Sequence, residues 1–174
     1  MNSSENDKPC PTCELEQNLN FLRQTYFFSG IPVDILKVFA YLCLREEFQA
    51  GEYIFRQGED DGQAYYLIEG QAMLEHENNG HIHPIRECRS GDFLGGLGLV
   101  GKLSRRYSLK TLTRMVCLVM TREKFLKVRG QFPEMTPRLF QAVLDAVDTW
   151  EKQFLSACAG QGAGCCGRMG LSVM

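Results

Sequence analysis

Glycines recur at short intervals between residues 51 and 96, and this spacing constrains the fold more than any other feature of the chain. Apolar and polar residues alternate between the glycines, which is the period of a β-strand with one buried face. Strands this short, with a turn signal after each, are typical of a closed or rolled antiparallel sheet. The alternation predicts seven strands, at 45–49, 52–56, 64–69, 71–77, 81–88, 107–112 and 115–120.

Helical periodicity appears on both sides of the strand region. Apolar residues recur at helical spacing in four segments, at 14–28, 32–43, 122–131 and 135–157. The last segment is the longest and has an apolar stripe, formed by Leu139, Val143, Ala146, Trp150 and Phe154. The chain is therefore expected to be mainly β with flanking helices. Its domain organisation is predicted as a tail with a Cys-x-x-Cys motif at 1–19, a folded domain at 20–157 and a Gly/Cys-rich tail at 158–174.

The composition is that of one soluble globular domain, with 44% hydrophobic and 23% charged residues in 174. A net charge of -2 provides no positive field for nucleic acid or an anionic membrane. No apolar run approaches the roughly 20 residues that span a bilayer. The polar N-terminus also lacks the apolar core of a signal peptide. We therefore expect a cytoplasmic protein that does not bind membranes.

Three glycine-containing motifs and an arginine follow one another in a fixed order. They are Gly51-Glu52-x-Ile54-Phe55-x-x-Gly58, Tyr66-Leu67-Ile68-x-Gly70, Gly91-Asp92-Phe93 and Arg105. Together they resemble the cyclic-nucleotide-binding domain of the catabolite activator superfamily, over about residues 20–157. The resemblance implies an antiparallel, jelly-roll-like β-roll (a double-stranded β-helix) of eight strands. A short helix and a long amphipathic C-terminal helix are expected to follow it.

The resemblance also implies a ligand site, because this superfamily holds a cyclic phosphate at a helix start and pairs it with an arginine. The matching residues are Gly95, Gly96, Leu97, Gly98, Arg105, Arg106 and Tyr107. Four of them depart from the family pattern. Gly96 stands where the family has a ribose-binding glutamate, and Gly98 replaces a small alanine. Arg106 replaces a small hydroxyl residue, and Tyr107 replaces another alanine. The phosphate half of the site is thus kept and the ribose half is lost, so the ligand is expected to be cyclic AMP, cyclic GMP or another small anion.

The eight cysteines suggest a different sensor on the same fold. The redox branch of the superfamily, the fumarate–nitrate regulators, holds an iron–sulfur cluster with N-terminal cysteines and one late cysteine. Cys10, Cys13 and Cys117 resemble part of that set, and two thiolates of a Cys-x-x-Cys motif can bind one metal. The position of the family's next N-terminal cysteine is occupied by Leu19. A buried strand residue is the alternative interpretation of Cys117.

A metal enzyme is a third interpretation, which the residues favour less. His81, His83 and Glu87 match the first half of the metal motif of the cupins, and on a regular strand they would share one face. No histidine follows His83, and Pro84 disturbs the strand. The motif is therefore interpreted as a solvated hairpin, and the chain is not expected to be an enzyme.

The C-terminal part of the chain indicates whether nucleic acid or a second copy of the chain is an expected partner. DNA-binding members of the superfamily carry a helix-turn-helix after the long helix, and the glycine-rich segment 158–174 fits no recognition helix. We therefore expect no direct nucleic acid binding, from either a stand-alone sensor or a fragment of a longer regulator. The apolar stripe of the long helix predicts a homodimer, with packing against the chain's own roll as the alternative.

Overall fold

The computed structural model describes residues 11–160, which form two four-stranded antiparallel sheets with helices on one side. The first sheet has the order β1-β8-β3-β6 and the second has the order β2-β7-β4-β5. The strands are β1 Leu44–Phe48, β2 Tyr53–Phe55, β3 Gln63–Glu69, β4 Gln71–Asn78, β5 His81–Arg89, β6 Phe93–Leu94, β7 Ser108–Thr111 and β8 Met115–Thr121. The predicted antiparallel β-roll with flanking helices is confirmed.

Residues 11–160 contain five α-helices. They are α1 Pro11–Gln24, α2 Val33–Leu42, α3 Gly96–Val100, α4 Arg122–Gln131 and α5 Thr136–Gly160. Two 3₁₀ turns, Tyr26–Phe28 and Pro133–Met135, connect helices. Within this part of the chain no helix combines the length and the apolar character needed to cross a membrane.

The core has two compartments, because both faces of the first sheet are buried. Alternate residues of β3 point in opposite directions: Tyr65 and Leu67 pack inside the roll, whereas Ala64 and Tyr66 pack against the helices. β8 continues both compartments with the same alternation. β3 and β8 are the two central strands of this sheet. They are apolar at almost every position, because each has side chains in both compartments.

Helix α1 covers the predicted helical segment at 14–28 as far as Gln24 and begins three residues earlier, at Pro11. Leu22 is buried, and Leu15 and Leu19 pack against the same core cluster. The Phe21 ring stacks on Tyr66, with ring centroids 5.0 Å apart. The predicted boundary between a tail at 1–19 and a domain at 20–157 consequently falls inside α1, a helix whose apolar face covers the sheet.

The β4–β5 hairpin turns at Asn79 and Gly80, whose φ angles of 52° and 76° place both residues in the left-handed region. This is the conformation that an Asn-Gly turn favours in a two-residue hairpin. Farther along the hairpin the register shifts, since Glu75 faces Pro84 whereas Leu74 faces Arg86. β5 therefore contains a bulge just after its proline, and it forms the outer edge of the second sheet.

Candidate functional site

Helix α3 begins at a glycine that holds a left-handed backbone conformation. Gly95 caps the helix with φ 85° and ψ 10°, and its carbonyl accepts a hydrogen bond from the Gly98 N–H at 2.9 Å. A side chain at residue 95 would overlap the Nη1 atom of Arg105 and approach the Gln63 carbonyl oxygen to 2.7 Å. Glycine is required here both for the turn and for the close approach of an arginine to the backbone.

Arg105 is the central charged residue of the site, and only 8% of its surface is exposed. Its Nη2 atom donates to both carboxylate oxygens of Asp61, at 2.8 and 2.9 Å, and to the Gln63 carbonyl at 2.6 Å. Backbone hydrogen bonds fix the same loop: the Arg105 N–H donates to the Glu59 carbonyl at 2.7 Å. The Gly58 N–H donates in turn to the Arg105 carbonyl at 2.9 Å. The loop before β7 is thus attached to the loop between β2 and β3.

Aromatic rings enclose the guanidinium group. Its central carbon lies 4.1 Å from the Phe55 ring centroid and 5.7 Å from that of Tyr65, which are favourable cation–π distances. The Tyr65 hydroxyl donates to Asp61 Oδ2 at 3.1 Å, and burial, with the nearby Asp61 carboxylate, raises the pKa of Tyr65. Tyr107 is also buried, with its ring centroid 5.8 Å from that of Phe55. The side chain that replaces the family's alanine therefore fills space inside the roll.

One donor of this arginine is left without a hydrogen bond. The Arg105 Nε atom is buried and has no partner. An unsatisfied buried donor costs about 1–3 kcal/mol, and more when it belongs to a charged group. The Arg105 guanidinium group therefore combines a buried, unpartnered N–H at Nε with an edge that Asp61 already neutralises.

The structure explains why residue 96 is not a glutamate. A Cβ atom on Gly96 would lie 2.8 Å from Phe27 Cδ2 and 2.9 Å from Phe93 Cε1. These rings belong to the aromatic cluster between α3 and the helical layer, with centroids 5.7 Å apart. Gly98, two residues along the same helix, has space: the nearest atom to a Cβ there is the Gln63 carbonyl oxygen at 3.8 Å.

The seven residues implied as ligand-binding do not all meet at one place. Gly95 and Arg105 are in contact, and Tyr107 lies beside the same Phe55 ring as the guanidinium group. Arg106 is exposed, and its contact with the second sheet is made by its carbonyl, 3.1 Å from His76 Nδ1. Leu97 lines a cavity shared with the helical layer.

Sequence reasoning misses Asp61, the acidic partner of Arg105. The two residues are 44 positions apart, so no local spacing pattern connects them. The available signal is the Asp60-Asp61-Gly62 turn immediately before β3, where two acidic residues stand side by side. Phe55 and Tyr65 appear in the sequence as ordinary alternating strand residues.

A second arginine connects α3 to α4. The Arg122 Nε donates to the Gly98 carbonyl at 2.5 Å, and its backbone N–H donates to the Gly62 carbonyl at 2.6 Å. Its guanidinium group forms an ion pair with Asp60, and this hydrogen bonding lowers the pKa of the Asp60 carboxyl. The first residue of α4 therefore holds α3 and the β2–β3 loop in one arrangement.

The cysteines of the redox hypothesis are not placed as metal ligands. Cys117 is 0% exposed within the roll, and burial raises the pKa of its thiol to about 12, which opposes the thiolate form that binds metals. Cys13 is exposed on α1, and Cys10 lies outside the described residues. Among residues 11–160, no group of three or more His, Cys, Asp or Glu side chains could hold a metal ion. Cys117 thus fits the alternative interpretation, a buried strand residue.

We expect Cys117 to resist alkylation in the native protein. A thiol with a pKa of about 12 is about 0.01% ionised at pH 8, and the buried sulfur is also shielded from the reagent. Peptide mapping after iodoacetamide treatment should show Cys13 modified and Cys117, Cys43 and Cys88 unmodified. All four should react in guanidinium chloride. Modification of native Cys117 as fast as Cys13 would contradict the prediction.

The cupin-like motif does not converge on one face of β5. Direct partners across an antiparallel ladder share a face, and His83 faces His76 whereas Glu87 faces Met73. Those partners are three residues apart on β4, so Glu87 points to the opposite face from His83. The bulge after Pro84 causes this change, which a regular strand pattern does not predict. His81, His83 and Glu87 are all exposed, as the solvated-hairpin interpretation predicts.

The apolar stripe of α5 packs against the core of its own chain. Leu139 and Ala146 are 5% and 8% exposed, and Val143 packs against the same core cluster. Leu139, Val143 and Ala146 cover the aromatic core of their own chain. The structure therefore does not leave these three residues exposed for the predicted dimer interface. Among the α5 side chains that the structure describes, the large exposed apolar residues are Phe140 and Leu144, at 64% and 45%. The side chains of Trp150 and Phe154 lie outside the described residues, and the homodimer itself stays a prediction.

Comparison with known proteins identifies the family pattern. The family model described as "Cyclic nucleotide-binding domain" matches residues 45–131. Human cGMP-dependent protein kinase 2 is 29% identical over 123 residues, covering 69% of this chain and 16% of the kinase. The cAMP-dependent protein kinase regulatory subunit of Emericella nidulans is 34% identical over 87 residues, covering 48% of this chain and 20% of the subunit. The chain therefore spans a small part of these relatives.

Solved structures share the fold. A cyclic nucleotide-binding-like protein from Brucella abortus superposes with a TM-score of 0.61 at 22% identity, covering 66% of this chain and 98% of that protein. The catabolite activator protein of Thermus thermophilus gives a TM-score of 0.62 at 19% identity, covering 76% and 62%. Identities this low establish the architecture, and the chemistry of the site has to be argued from its own residues.

Proposed function

The chain belongs to the cyclic nucleotide-binding domain family, and from this premise we propose that it is a non-catalytic regulatory domain whose ligand is a small anion bound by Arg105. The unpartnered Nε atom of Arg105 carries the proposal. An anion that accepts a hydrogen bond from Nε would satisfy a buried charged donor, and charge-assisted hydrogen bonds are about twice as strong as neutral ones. The guanidinium group packs directly against Gly95 at the start of α3, so an anion bound by Arg105 would lie close to this helix.

Cyclic AMP and cyclic GMP are the first ligands to consider, since the names of two relatives refer to them. The phosphate of either nucleotide carries the negative charge that an arginine N–H group binds. The ribose hydroxyl lacks the carboxylate acceptor that a glutamate at position 96 would provide. A missing charge-assisted hydrogen bond costs about 1.5–3 kcal/mol, or one to two decades of affinity. Tyr107 also fills part of the roll, so a compact anion is favoured over a nucleotide.

Asp61 sets the condition for binding. Its carboxylate already holds Nη2 of Arg105, with 18% of the Asp61 side chain exposed. A second anion at Nε would lie close to this negative charge and be repelled by it. We propose that Asp61 competes with the ligand for the arginine, so that the unliganded domain is neutral at its centre and binds anions weakly.

The proposed readout follows packed contacts from the anion site to α5. Gly95 touches Arg105, and the neighbouring Gly96 lies against Phe27 and Phe93. Phe27 belongs to the 3₁₀ turn whose Tyr26 hydroxyl donates to the Ala142 carbonyl of α5. A shift of α3 on binding would therefore change the packing that holds the long helix.

Substitution of Arg105 by glutamine tests the proposal, with Arg106→Gln as the matched control. Both variants remove one positive charge from adjacent residues, but only Arg105 is buried at the site. We expect Arg105→Gln to weaken anion binding by at least about tenfold and Arg106→Gln to change it by less than about twofold. Isothermal titration with cyclic AMP, cyclic GMP and inorganic phosphate at millimolar concentrations measures both.

Far-ultraviolet circular dichroism of each variant establishes that it is folded. Arg105→Lys, which keeps the charge and loses Nε and the planar guanidinium group, gives a second variant at the same position. It should bind anions more weakly than the wild type. The proposal fails if none of the three anions binds the wild type, or if Arg106→Gln weakens binding as much as Arg105→Gln does.

A further inference from the structure

A cavity of about 290 Å³ lies on the other side of α3 from Arg105, between the helical layer and the roll. Three separate parts of the chain form its walls: residues 24–27, residues 91–93 with Leu97, and one face of α5. The α5 wall consists of Ala142, Val143 and Ala146. Engineered apolar cavities of about 150 Å³ bind benzene, so this volume suits a molecule of two fused rings.

Each polar side chain of the walls makes at least one hydrogen bond within the chain. The Thr25 hydroxyl donates to the Phe21 carbonyl at 2.8 Å, and Gln24 Oε1 accepts from the Tyr66 hydroxyl at 3.4 Å. The Asp92 carboxylate accepts from Arg86 Nη1 at 3.2 Å and from the Arg89 N–H at 2.8 Å. A ligand here is therefore offered apolar surface and no unpaired charge, so a charged molecule would lose its hydration without compensation.

We propose that this cavity is a second binding site, which takes a small, uncharged, largely apolar ring compound. The rings that line it connect it to the first site. Phe27 and Phe93 are the two side chains that lie against Gly96, and Leu97 follows Gly96 in α3. An occupant would therefore lie against α3 and α5 together and hold them in one arrangement. The proposal does not depend on anion binding at Arg105.

The uncharged dye N-phenyl-1-naphthylamine, whose fluorescence rises in apolar surroundings, is the probe. We expect saturable binding of one dye per chain to the wild type, with competition by naphthalene. Two substitutions fill the cavity, Val143→Phe and Ala146→Leu, and each should weaken dye binding by at least about tenfold. Leu144→Phe places the same phenylalanine side chain one residue away, on the exposed side of α5, and should leave binding unchanged.

Melting temperatures identify which variants are folded, and Ala146→Leu decides the test if Val143→Phe does not fold. If Arg105→Gln binds the dye as well as the wild type does, this site is separate from the anion site. The proposal is overturned if the wild type shows no saturable dye binding. It is equally overturned if the folded cavity-filling variants bind the dye as well as the wild type does.

Discussion

Replacing Gly96 by glutamate, which restores the family residue, is expected to unfold much of the population and to create no cyclic-nucleotide site. The Cβ atom alone would lie within 3 Å of Phe27 and Phe93. Neither ring can move aside easily, because each also packs on Phe28, at centroid distances of 5.1 Å for Phe27 and 5.9 Å for Phe93. Overpacking costs about 1–3 kcal/mol, and a carboxylate among aromatic rings adds several more.

A loss of that size is a large part of the about 5–15 kcal/mol that stabilises a typical domain. Urea unfolding followed by circular dichroism measures it, together with thermal shift in the presence of cyclic AMP. The matched control is a pair of alanine substitutions on the same helix. Gly96→Ala should destabilise the domain by about 1–3 kcal/mol. Gly98→Ala should be neutral or stabilising by up to about 1 kcal/mol, because its Cβ has space and alanine favours the helix.

A double-mutant cycle assigns the cause. In a Phe27→Ala background one of the two close contacts is gone, so the penalty of Gly96→Ala should shrink. A Gly96→Glu protein that is as stable as the wild type and binds cyclic AMP would show that the aromatic cluster does not determine the residue at this position.

Substituting Asp61 by asparagine should lower the melting temperature by roughly 10 °C and make stability strongly dependent on added anion. The change leaves the charge of buried Arg105 unpaired. Breaking a buried ion pair in this way costs about 3–5 kcal/mol, and each kcal/mol shifts the melting temperature of a chain of this size by about 2–4 °C. An inorganic phosphate ion that binds Arg105 would replace the missing carboxylate and restore part of the loss.

Phosphate also stabilises proteins by exclusion from their surface, so the comparison needs controls. Asp34→Asn removes a carboxylate whose side chain is 86% exposed and should leave the melting temperature and its response to phosphate nearly unchanged. The double variant Asp61→Asn, Arg105→Gln should lose the extra phosphate response. If phosphate raises the melting temperature of Asp61→Asn no more than that of the wild type, Asp61 does not compete with anions for Arg105.

The sequence predicts the roll because most of its strands are long enough to recognise. β3 and β8 have seven mostly apolar residues each, and the Asn-Gly turn of the β4–β5 hairpin has a direct conformational meaning. β6 has two residues, so no pattern exists to detect. The predicted first helix starts at residue 14, three residues after the start of α1, because the first turn, Pro-Thr-Cys-Glu, carries no large apolar residue that marks the buried face.

The site was predictable only in part, for reasons that depend on distance along the chain. The motif names Gly95 and Arg105, and the structure brings these two residues into contact. The Asp61 carboxylate and the Phe55 ring reach Arg105 through the fold, and nothing local marks them. The sequence shows Gly96 as a departure from the family, but the cause lies in two aromatic rings whose positions the sequence does not give. A regular strand predicts Glu87 on the face of His83, and the bulge moves it to the opposite face.

That bulge and the proline before it also affect how the molecules behave at high concentration. β5 forms an outer edge of the second sheet, and an uninterrupted edge strand is a template on which another chain can add a strand. Pro84 offers no N–H, and the extra residue at Ile85 breaks the spacing of the donors and acceptors that remain. β5, the longest strand within residues 11–160, is thereby a poor template for intermolecular β-pairing, which protects the hairpin against sheet-to-sheet polymerisation.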